Sequence, residues 1–143
     1  KREEFTKIIV TAFDIADEGK DVSFSDVNKD EWYYPFIKKA YDAKIIKGIS
    51  SESFGISSCV TRQDVAVMLS RVLEKYENNL AFTKTYTGFA DEKEISEYAL
   101  DGIKKLYCLG VILGYEDGTV KPLGNATRAE AAYMINSILK IIK

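Results

Sequence analysis

An internal repeat is the feature that most constrains how this chain folds. Three arginines, Arg2, Arg62 and Arg128, each stand directly before a run of residues with the same apolar spacing, and a threonine, Thr61 or Thr127, precedes the second and third. The last two arginines are 66 positions apart (128 minus 62), and the same shift aligns Ile37 with Ile103, Lys38-Lys39 with Lys104-Lys105, and Gly48 with Gly114. Such self-similarity indicates repeated units that bury their apolar faces against one another.

The apolar residues after each arginine follow the spacing of one helical face, i, i+3, i+4, i+7, i+8 and i+11. The three sets are Phe5, Ile8, Ile9, Ala12, Phe13 and Ala16; Val65, Met68, Leu69, Val72, Leu73 and Tyr76; and Ala131, Met134, Ile135, Ile138, Leu139 and Ile142. Because each stripe needs apolar partners, we predict an all-α fold in which three equivalent helices, beginning near Arg2, Thr61 and Thr127, pack together in a central bundle.

Each complete repeat is predicted to contain a further helix upstream, at 33–44 in one copy and 95–109 in the other. Pro35 suits the first turn of the earlier one. The predicted organisation is the second half of a first repeat in 1–20, a second repeat in 21–78 and a third in 79–143, all in one compact domain, with polar linkers at 17–23 and 77–88. Because the first copy lacks its upstream helix, we expect a neighbouring segment or chain to cover the apolar surface near Phe5 and Phe13.

Composition excludes several classes of function. Of the 143 residues, 46% are hydrophobic and 29% charged, with a net charge of −2, which fits a globular protein and argues against nucleic-acid binding because that needs a basic face. No apolar run is long enough for membrane insertion. There is no histidine, and the two cysteines, Cys59 and Cys108, form no zinc pattern, so we predict no enzyme, catalytic residue, metal or cofactor. A disulfide between these cysteines and two free thiols are both open.

Two of the predicted helices have the spacing of a capping box at their start. Thr61 precedes Asp64 by three positions, and Thr127 precedes Glu130 by three. In such a box the threonine oxygen accepts from the third helical amide and the acid reaches back to the cap amide. Because glutamate reaches better than aspartate, we expect the stronger box at Thr127.

Capping leaves the arginine itself unexplained. Helix N-termini favour anions, so a cation at the first helical position needs a reason. Free amides, the positive end of the dipole and a guanidinium together form a corner that binds a carboxylate or a phosphate. The alternative is a structural salt bridge to a nearby acid such as Asp26 or Asp91.

Three further pairs of repeated positions have both a structural and a binding interpretation: Asp26 and Asp91, Trp32 and Tyr98, and Gly48 and Gly114. The aspartates cap a local turn or bind a sugar hydroxyl. The tryptophan and tyrosine anchor the core or stack on a carbohydrate ring. The glycines supply a positive φ at a helix end or let a ligand approach the backbone.

The repeat resembles the S-layer homology domain, whose pattern runs Phe-x-Asp, Trp, Ile, a glycine-containing loop and Thr-Arg-Ala-Glu. The last copy reads "GFADEKEISEYALDGIKKLYCLGVILGYEDGTVKPLGNATRAEAAYMI" and the middle copy "FSDVNKDEWYYPFIKKAYDAKIIKGISSESFGISSCVTRQDVAVML". The resemblance covers essentially the whole chain and implies a pseudo-threefold spindle of repeats. It also implies non-covalent attachment of an extracellular bacterial surface protein to the cell wall, through a peptidoglycan-linked secondary polysaccharide bearing a pyruvyl ketal.

The resemblance also assigns roles to the repeated residues, in grooves between neighbouring repeats. The carboxylate-binding arginines are Arg62 and Arg128, with Arg2 in the incomplete copy; the groove residues are Asp26, Trp32, Gly48 and Gly114, with Asp91 and Tyr98 at the matching positions. The chain departs from the family pattern at Tyr98, which replaces tryptophan, at Gln63-Asp64, which replaces Ala-Glu, and at Lys1, which replaces the cap threonine. We therefore expect one or two competent grooves. The alternative function is a structural module whose repeats mediate protein–protein packing in a surface layer.

Overall fold

The computed structural model describes residues 1–17, 19 and 21–143, with only the backbone of 77–79. Its helices are α1 (Arg2–Ala12), α2 (Tyr34–Asp42), α3 (Arg62–Leu73), α4 (Glu97–Cys108) and α5 (Arg128–Ile141), with 3₁₀ turns at Glu74–Asn79 and Glu92–Glu94. Within the described ranges the β-structure is one isolated bridge, between Thr61 and Asn125. The all-α prediction is confirmed. Glu18 and Lys20, in the first predicted linker, lie outside the described residues.

The three helices that follow the repeated arginines begin where the sequence predicts. α1, α3 and α5 each start at their arginine. The two upstream helices, α2 and α4, are shorter at both ends than predicted, and Pro35 lies in the first turn of α2. The second predicted linker begins inside the 3₁₀ turn that extends α3.

The caps of α3 and α5 differ in the way expected from the acid at the third helical position, which is Asp64 in α3 and Glu130 in α5. At α5 the box is reciprocal: Thr127 Oγ1 accepts from the Glu130 amide at 3.2 Å, and Glu130 Oε2 accepts from the Thr127 amide at 2.8 Å. At α3, Thr61 accepts from the Asp64 amide at 3.2 Å, while the Asp64 side chain accepts from the Tyr98 hydroxyl at 2.8 Å. The stronger box at Thr127 is confirmed.

The described chain divides into two compact units, residues 1–60 and 61–143. In the first unit α1 packs on α2, and in the second α3 packs on α4 and also contacts α5. Each unit therefore joins an arginine-led helix to the upstream helix and loop of the next repeat, half a repeat out of step with the sequence boundaries predicted after 20 and 78. A bundle that also includes α1 stays a prediction.

The residues of the apolar stripes are buried or partly buried, with two exceptions in the first stripe. In α3 and α5 the stripe supplies the core residues Val65, Met68, Leu69, Val72, Leu73, Ala131, Met134, Ile135 and Ile138. In α1 the prediction is wrong for Ile8, which is 40% exposed, and for Ala16, which is exposed beyond the helix. The buried face of α1 is shifted toward Thr6 and Val10, which lie inside instead.

The apolar surface near Phe5 and Phe13, which we expected a neighbouring segment or chain to cover, is buried within this chain. Phe5 and Phe13 are 3% and 7% exposed. Cys59 is exposed and Cys108 partly buried, and both are free thiols.

Gly48 and Gly114 have φ values of 79° and 78°, in the left-handed region that favours glycine. A Cβ added to Gly48 would lie 2.8 Å from Cε1 of Phe24, and one added to Gly114 would lie 2.8 Å from Cε1 of Phe89. These two phenylalanines come from the Phe-x-Asp motifs. The motif and the glycine are therefore coupled by close packing, as well as by backbone conformation.

Candidate functional site

The aspartate of the first Phe-x-Asp motif holds a loop in place. Asp26 accepts from the amide of Phe54 at 2.8 Å through Oδ1. Its Oδ2 accepts from the amides of Gly55 and Ile56 at 2.7 and 3.0 Å and from the hydroxyl of Ser53 at 2.9 Å. Burial opposes ionisation, but these four donors outweigh it and lower the pKa of Asp26 to about 2. Both oxygens are occupied, so Asp26 acts on the shape of the loop.

Asp91 performs the same task with fewer donors. It accepts from the amides of Val120 and Lys121 at 2.9 and 2.7 Å. By the 66-residue shift these match two of the amides that bind Asp26. The third match is Pro122, which has no amide hydrogen to donate.

Two of the repeated arginines anchor these loops. Each uses its Nε and its backbone amide on carbonyl oxygens at matching loop positions: Arg2 on Phe54 at 3.0 Å and Ser58 at 3.0 Å, and Arg62 on Val120 at 2.8 Å and Gly124 at 2.9 Å. The two side chains are buried, with Arg2 6% and Arg62 8% exposed. The cation at the first helical position is thus explained by loop carbonyls that meet it there.

This arrangement corrects the predicted corner of free amides at Arg62. The amides of Arg62 and Gln63 donate to the carbonyls of Gly124 and Pro122, so they are not available to an anion. The acid that pairs with Arg62 is also different from the ones suggested by sequence. It is Glu130, from the start of α5, and neither Asp26 nor Asp91.

Arg128 has a different environment. Its residue is exposed, and among the described groups none forms a hydrogen bond or an ion pair with its guanidinium. It therefore lies exposed in the first turn of α5. Among the described residues it makes no hydrogen bond to a loop carbonyl like those of the Arg2 and Arg62 side chains.

A pocket of ≈ 350 Å³ lies beside Arg62 in the second unit. Its lining consists of Arg62, Val111, Ile112, Leu113, Gly114, Tyr115, Ala129, Glu130, Tyr133 and Met134. Arg62 Nη1 lies 2.6 Å from Glu130 Oε1, and the guanidinium carbon of Arg62 lies 4.8 Å from the ring centroid of Tyr115. The hydroxyl of Tyr115 donates to the same Glu130 oxygen at 2.6 Å.

The pocket combines a neutralised ion pair with apolar and aromatic walls. Burial opposes ionisation of Glu130, but the hydrogen bonds from Tyr115 and Thr127 and the charge of Arg62 together lower its pKa. The hydrogen bond to Glu130, with some burial, raises the pKa of Tyr115. Tyr133 is 50% exposed and offers a further ring. Ring faces beside fixed polar groups suit a molecule that is apolar on one face and rich in hydroxyls at its edge.

The pocket brings together two of the predicted site residues, Arg62 and Gly114. Asp91 and Tyr98 belong to the same unit but not to the lining, and Arg128 lies outside it as well. Arg2, Asp26, Trp32 and Gly48 belong to the first unit. Sequence reasoning missed Tyr115 and Tyr133 and treated Glu130 as a cap alone. One signal was available, because Tyr133 lies three residues after Glu130 and so on the same face of α5.

The aromatic residues at the matching tryptophan position are both on the surface. Trp32 is 48% exposed and packs edge-on against Tyr33, with Lys7 Nζ 5.4 Å from its ring centroid. Tyr98 is exposed, and its hydroxyl accepts from Gln63 Nε2 at 3.0 Å. Partial burial and its hydrogen bond to Asp64 raise the pKa of Tyr98. Sugar stacking by either ring stays a prediction.

The part of the chain that the structure describes contains no group of histidine, cysteine, aspartate and glutamate side chains arranged to hold a metal ion. None of its helices has both the length and the apolar character needed to cross a membrane.

The fold and the pocket define a repetitive helical module in which the helices led by Arg2 and Arg62 each support the loop of the next repeat. The sequence matches the S-layer homology domain over residues 23–66 and 88–132. This chain belongs to the S-layer homology family.

Relatives of the chain include both enzymes and surface proteins. It is 31% identical over 138 residues to an endoglucanase of Bacillus sp. (strain KSM-635) and 34% identical over 139 residues to an amylopullulanase of Thermoanaerobacterium thermosulfurigenes. These matches cover 96% and 97% of this chain but 14% and 7% of the relatives. It is also 26% identical to the cellulosome-anchoring protein of Acetivibrio thermocellus, covering 95% of this chain and 30% of that protein. The chain thus spans a small part of each of these relatives.

Proposed function

We propose that this chain anchors a bacterial surface protein non-covalently to the cell wall by binding a secondary cell-wall polysaccharide. Membership of the S-layer homology family and the cellulosome-anchoring relative support attachment at the cell wall. The proposed role is binding without catalysis. This agrees with enzyme relatives that match the chain over only 14% and 7% of their length.

The observation that carries the proposal is the pocket beside Arg62. Its volume of ≈ 350 Å³ is in the range of small-ligand sites. Its lining includes the rings of Tyr115 and Tyr133, the guanidinium of Arg62 and the backbone of Gly114. Rings of this kind stack on the apolar face of a sugar. The guanidinium is the side chain best suited to a carboxylate, such as that of a pyruvyl ketal. We therefore assign the pyruvylated sugar of the wall polymer to this pocket.

A wall pull-down tests this function. Purified walls should capture the chain, and walls stripped of their secondary polymer should not. Equal capture by both would reject polysaccharide anchoring. Capture by a surface-layer protein in the absence of walls would instead favour the packing module that the sequence leaves as an alternative.

A tyrosine substitution tests the pocket. Tyr133→Ala removes an exposed ring, so it should weaken polymer binding by roughly two- to tenfold with little change in stability. The matched control is Phe82→Ala, which removes another exposed aromatic ring from the second unit outside the pocket lining. Titration calorimetry compares the two. Equal polymer affinity in both variants and the parent chain would show that the Tyr133 ring does not contact the ligand.

A further inference from the structure

The two oxygens of Glu130 have different partners. Oε2 accepts from the Thr127 amide at 2.8 Å and lies 3.0 Å from the Thr127 hydroxyl oxygen. Oε1 lies 2.6 Å from Arg62 Nη1 and accepts from the Tyr115 hydroxyl at 2.6 Å. One oxygen therefore completes the cap of α5, and the other collects two donors of the pocket.

We infer that Glu130 is a resident counterion of the pocket, and that the carboxylate of an acidic sugar displaces its Oε1 from Arg62 and Tyr115. The inference rests on the proposed function and adds how the same site selects an anion. Arg62 Nη1 and the Tyr115 hydroxyl converge on a single carboxylate oxygen, which is the geometry that a ligand carboxylate needs. In the structure, Glu130 Oε1 occupies the position proposed for the ligand oxygen.

Electrostatics favours a ligand carboxylate that displaces Glu130 over one that binds beside the intact Arg62–Glu130 pair. With Glu130 in place the pair is neutral, so an entering anion gains little from Arg62 and is repelled by a carboxylate at the same guanidinium. Once Glu130 moves away, the full charge of Arg62 faces the ligand. The Glu130 side chain is 26% exposed, so it has access to water when it turns aside.

The cap of α5 tolerates this movement. The Thr127 hydroxyl oxygen accepts from the Glu130 amide at 3.2 Å, and this bond does not involve the Glu130 carboxylate. Half of the capping box therefore remains when the side chain turns. In α3 the acid at the matching position, Asp64, accepts from the Tyr98 hydroxyl.

The test is calorimetry with two small probes, a methyl glycoside that carries a cyclic pyruvyl ketal and the same glycoside without it. Glu130→Gln removes the competing charge, while glutamine still serves in a capping box. We expect this variant to bind the pyruvylated probe roughly three- to tenfold more tightly than the parent chain does, since one partly exposed ion pair no longer competes. Its affinity for the plain glycoside should be unchanged. The control Glu116→Gln makes the same charge change at an exposed residue outside the lining and should stay within about twofold of the parent.

Two possible outcomes would reject different claims, the counterion inference or the assignment of the sugar to this pocket. If the parent chain prefers the pyruvylated probe but Glu130→Gln binds it equally or less tightly, the counterion inference is overturned and the proposed function stands. If the parent chain does not distinguish the probes, the assignment of the pyruvylated sugar to this pocket fails.

A measurement on the parent chain covers the case in which Glu130→Gln does not fold. The carboxyl carbon resonance of Glu130 should shift when the pyruvylated probe saturates the protein, because its ion pair opens. It should not shift in this way with the plain glycoside. An unchanged resonance at saturation would overturn the inference.

Discussion

The loops at 48–60 and 114–126 share a backbone network and differ in the side chains that they present. In both, the aspartate of Phe-x-Asp accepts from loop amides and a buried arginine bonds two loop carbonyls. In both, a glycine with positive φ packs against the motif phenylalanine. The residues that repeat between the two loops are therefore the ones that build them.

The two aromatic rings of the pocket, Tyr115 and Tyr133, come from positions that do not repeat. Two cations lie near the Tyr115 ring, with the Arg62 guanidinium carbon 4.8 Å and Lys121 Nζ 4.2 Å from its centroid. The 66-residue shift places Ile49 where Tyr115 stands and Gly55 where Lys121 stands. The comparison teaches that one scaffold, duplicated along the chain, carries a polar aromatic surface in one copy and an aliphatic surface in the other.

The largest expected effect separates Arg62 from Arg128. Arg62→Ala removes a buried cation that bonds the Val120 carbonyl and pairs with Glu130, so it should lower the free energy of unfolding by about 2–4 kcal/mol. Arg128→Ala changes an exposed side chain and should stay within about 0.5 kcal/mol. Urea denaturation of both variants measures this difference.

Equal losses in the two variants would show that the arginines play the same structural role, against the comparison. Because Arg128→Ala is expected to remain stable, a fall in its wall binding would report ligand contact by Arg128, which the sequence proposes.

A smaller effect should distinguish the two aspartates. Asp26→Asn should cost about 1–2 kcal/mol of stability, discounted for its partial exposure, because it weakens bonds to four donors. Asp91→Asn should cost less, since the Asp91 carboxylate accepts from two backbone amides, those of Val120 and Lys121. Thermal unfolding at neutral pH ranks the two. A larger loss for Asp91→Asn would contradict the difference between the loops.

The pH dependence of Asp26 follows from its lowered pKa. The ordinary value is 3.8 and the folded value is about 2, so the carboxylate stabilises the fold fully above pH 3.8. That stabilisation declines as the pH falls from about 4 toward 2, because the unfolded chain takes up the proton first. The stability difference between the parent chain and Asp26→Asn should therefore shrink over this range. A constant difference would contradict the assigned pKa.

A small effect on stability, and a clear one on binding, is expected from Tyr115→Ile. This change gives the second loop the residue found in the first, and it removes the hydroxyl that bonds Glu130 and the ring beside Arg62. We expect binding of the pyruvylated glycoside to weaken by roughly three- to tenfold while the melting temperature falls by only a few degrees. Unchanged affinity would show that the difference between the loops has no bearing on the ligand.

The sequence predicts the scaffold well because the scaffold is what repeats. Apolar spacing located α1, α3 and α5, and the acid at the third position distinguished the cap of Thr127 from that of Thr61. The prediction was wrong for Ile8 because helical spacing fixes the width of an apolar face but not which edge of it meets the neighbouring helix.

The site was predicted less completely, for a physical reason. Arg62 and Gly114 were found from their repetition, but the ion pair of Arg62 with Glu130 joins two different repeats and has no signal in the spacing of either. The loop carbonyls that anchor Arg62 are backbone groups, which a sequence pattern does not show. Tyr115 was missed because it is a position at which the copies differ.

The central claim is that the pocket beside Arg62 holds the acidic sugar, and nuclear magnetic resonance tests it most directly. Backbone amide resonances are followed while the pyruvylated methyl glycoside is added to the parent chain. The account predicts that the shifts concentrate at Leu113, Gly114, Tyr115 and Tyr133, and that they are absent or much weaker with the glycoside that lacks the ketal. Shifts concentrated instead at Arg128 or Trp32, or equal shifts with both probes, would contradict it.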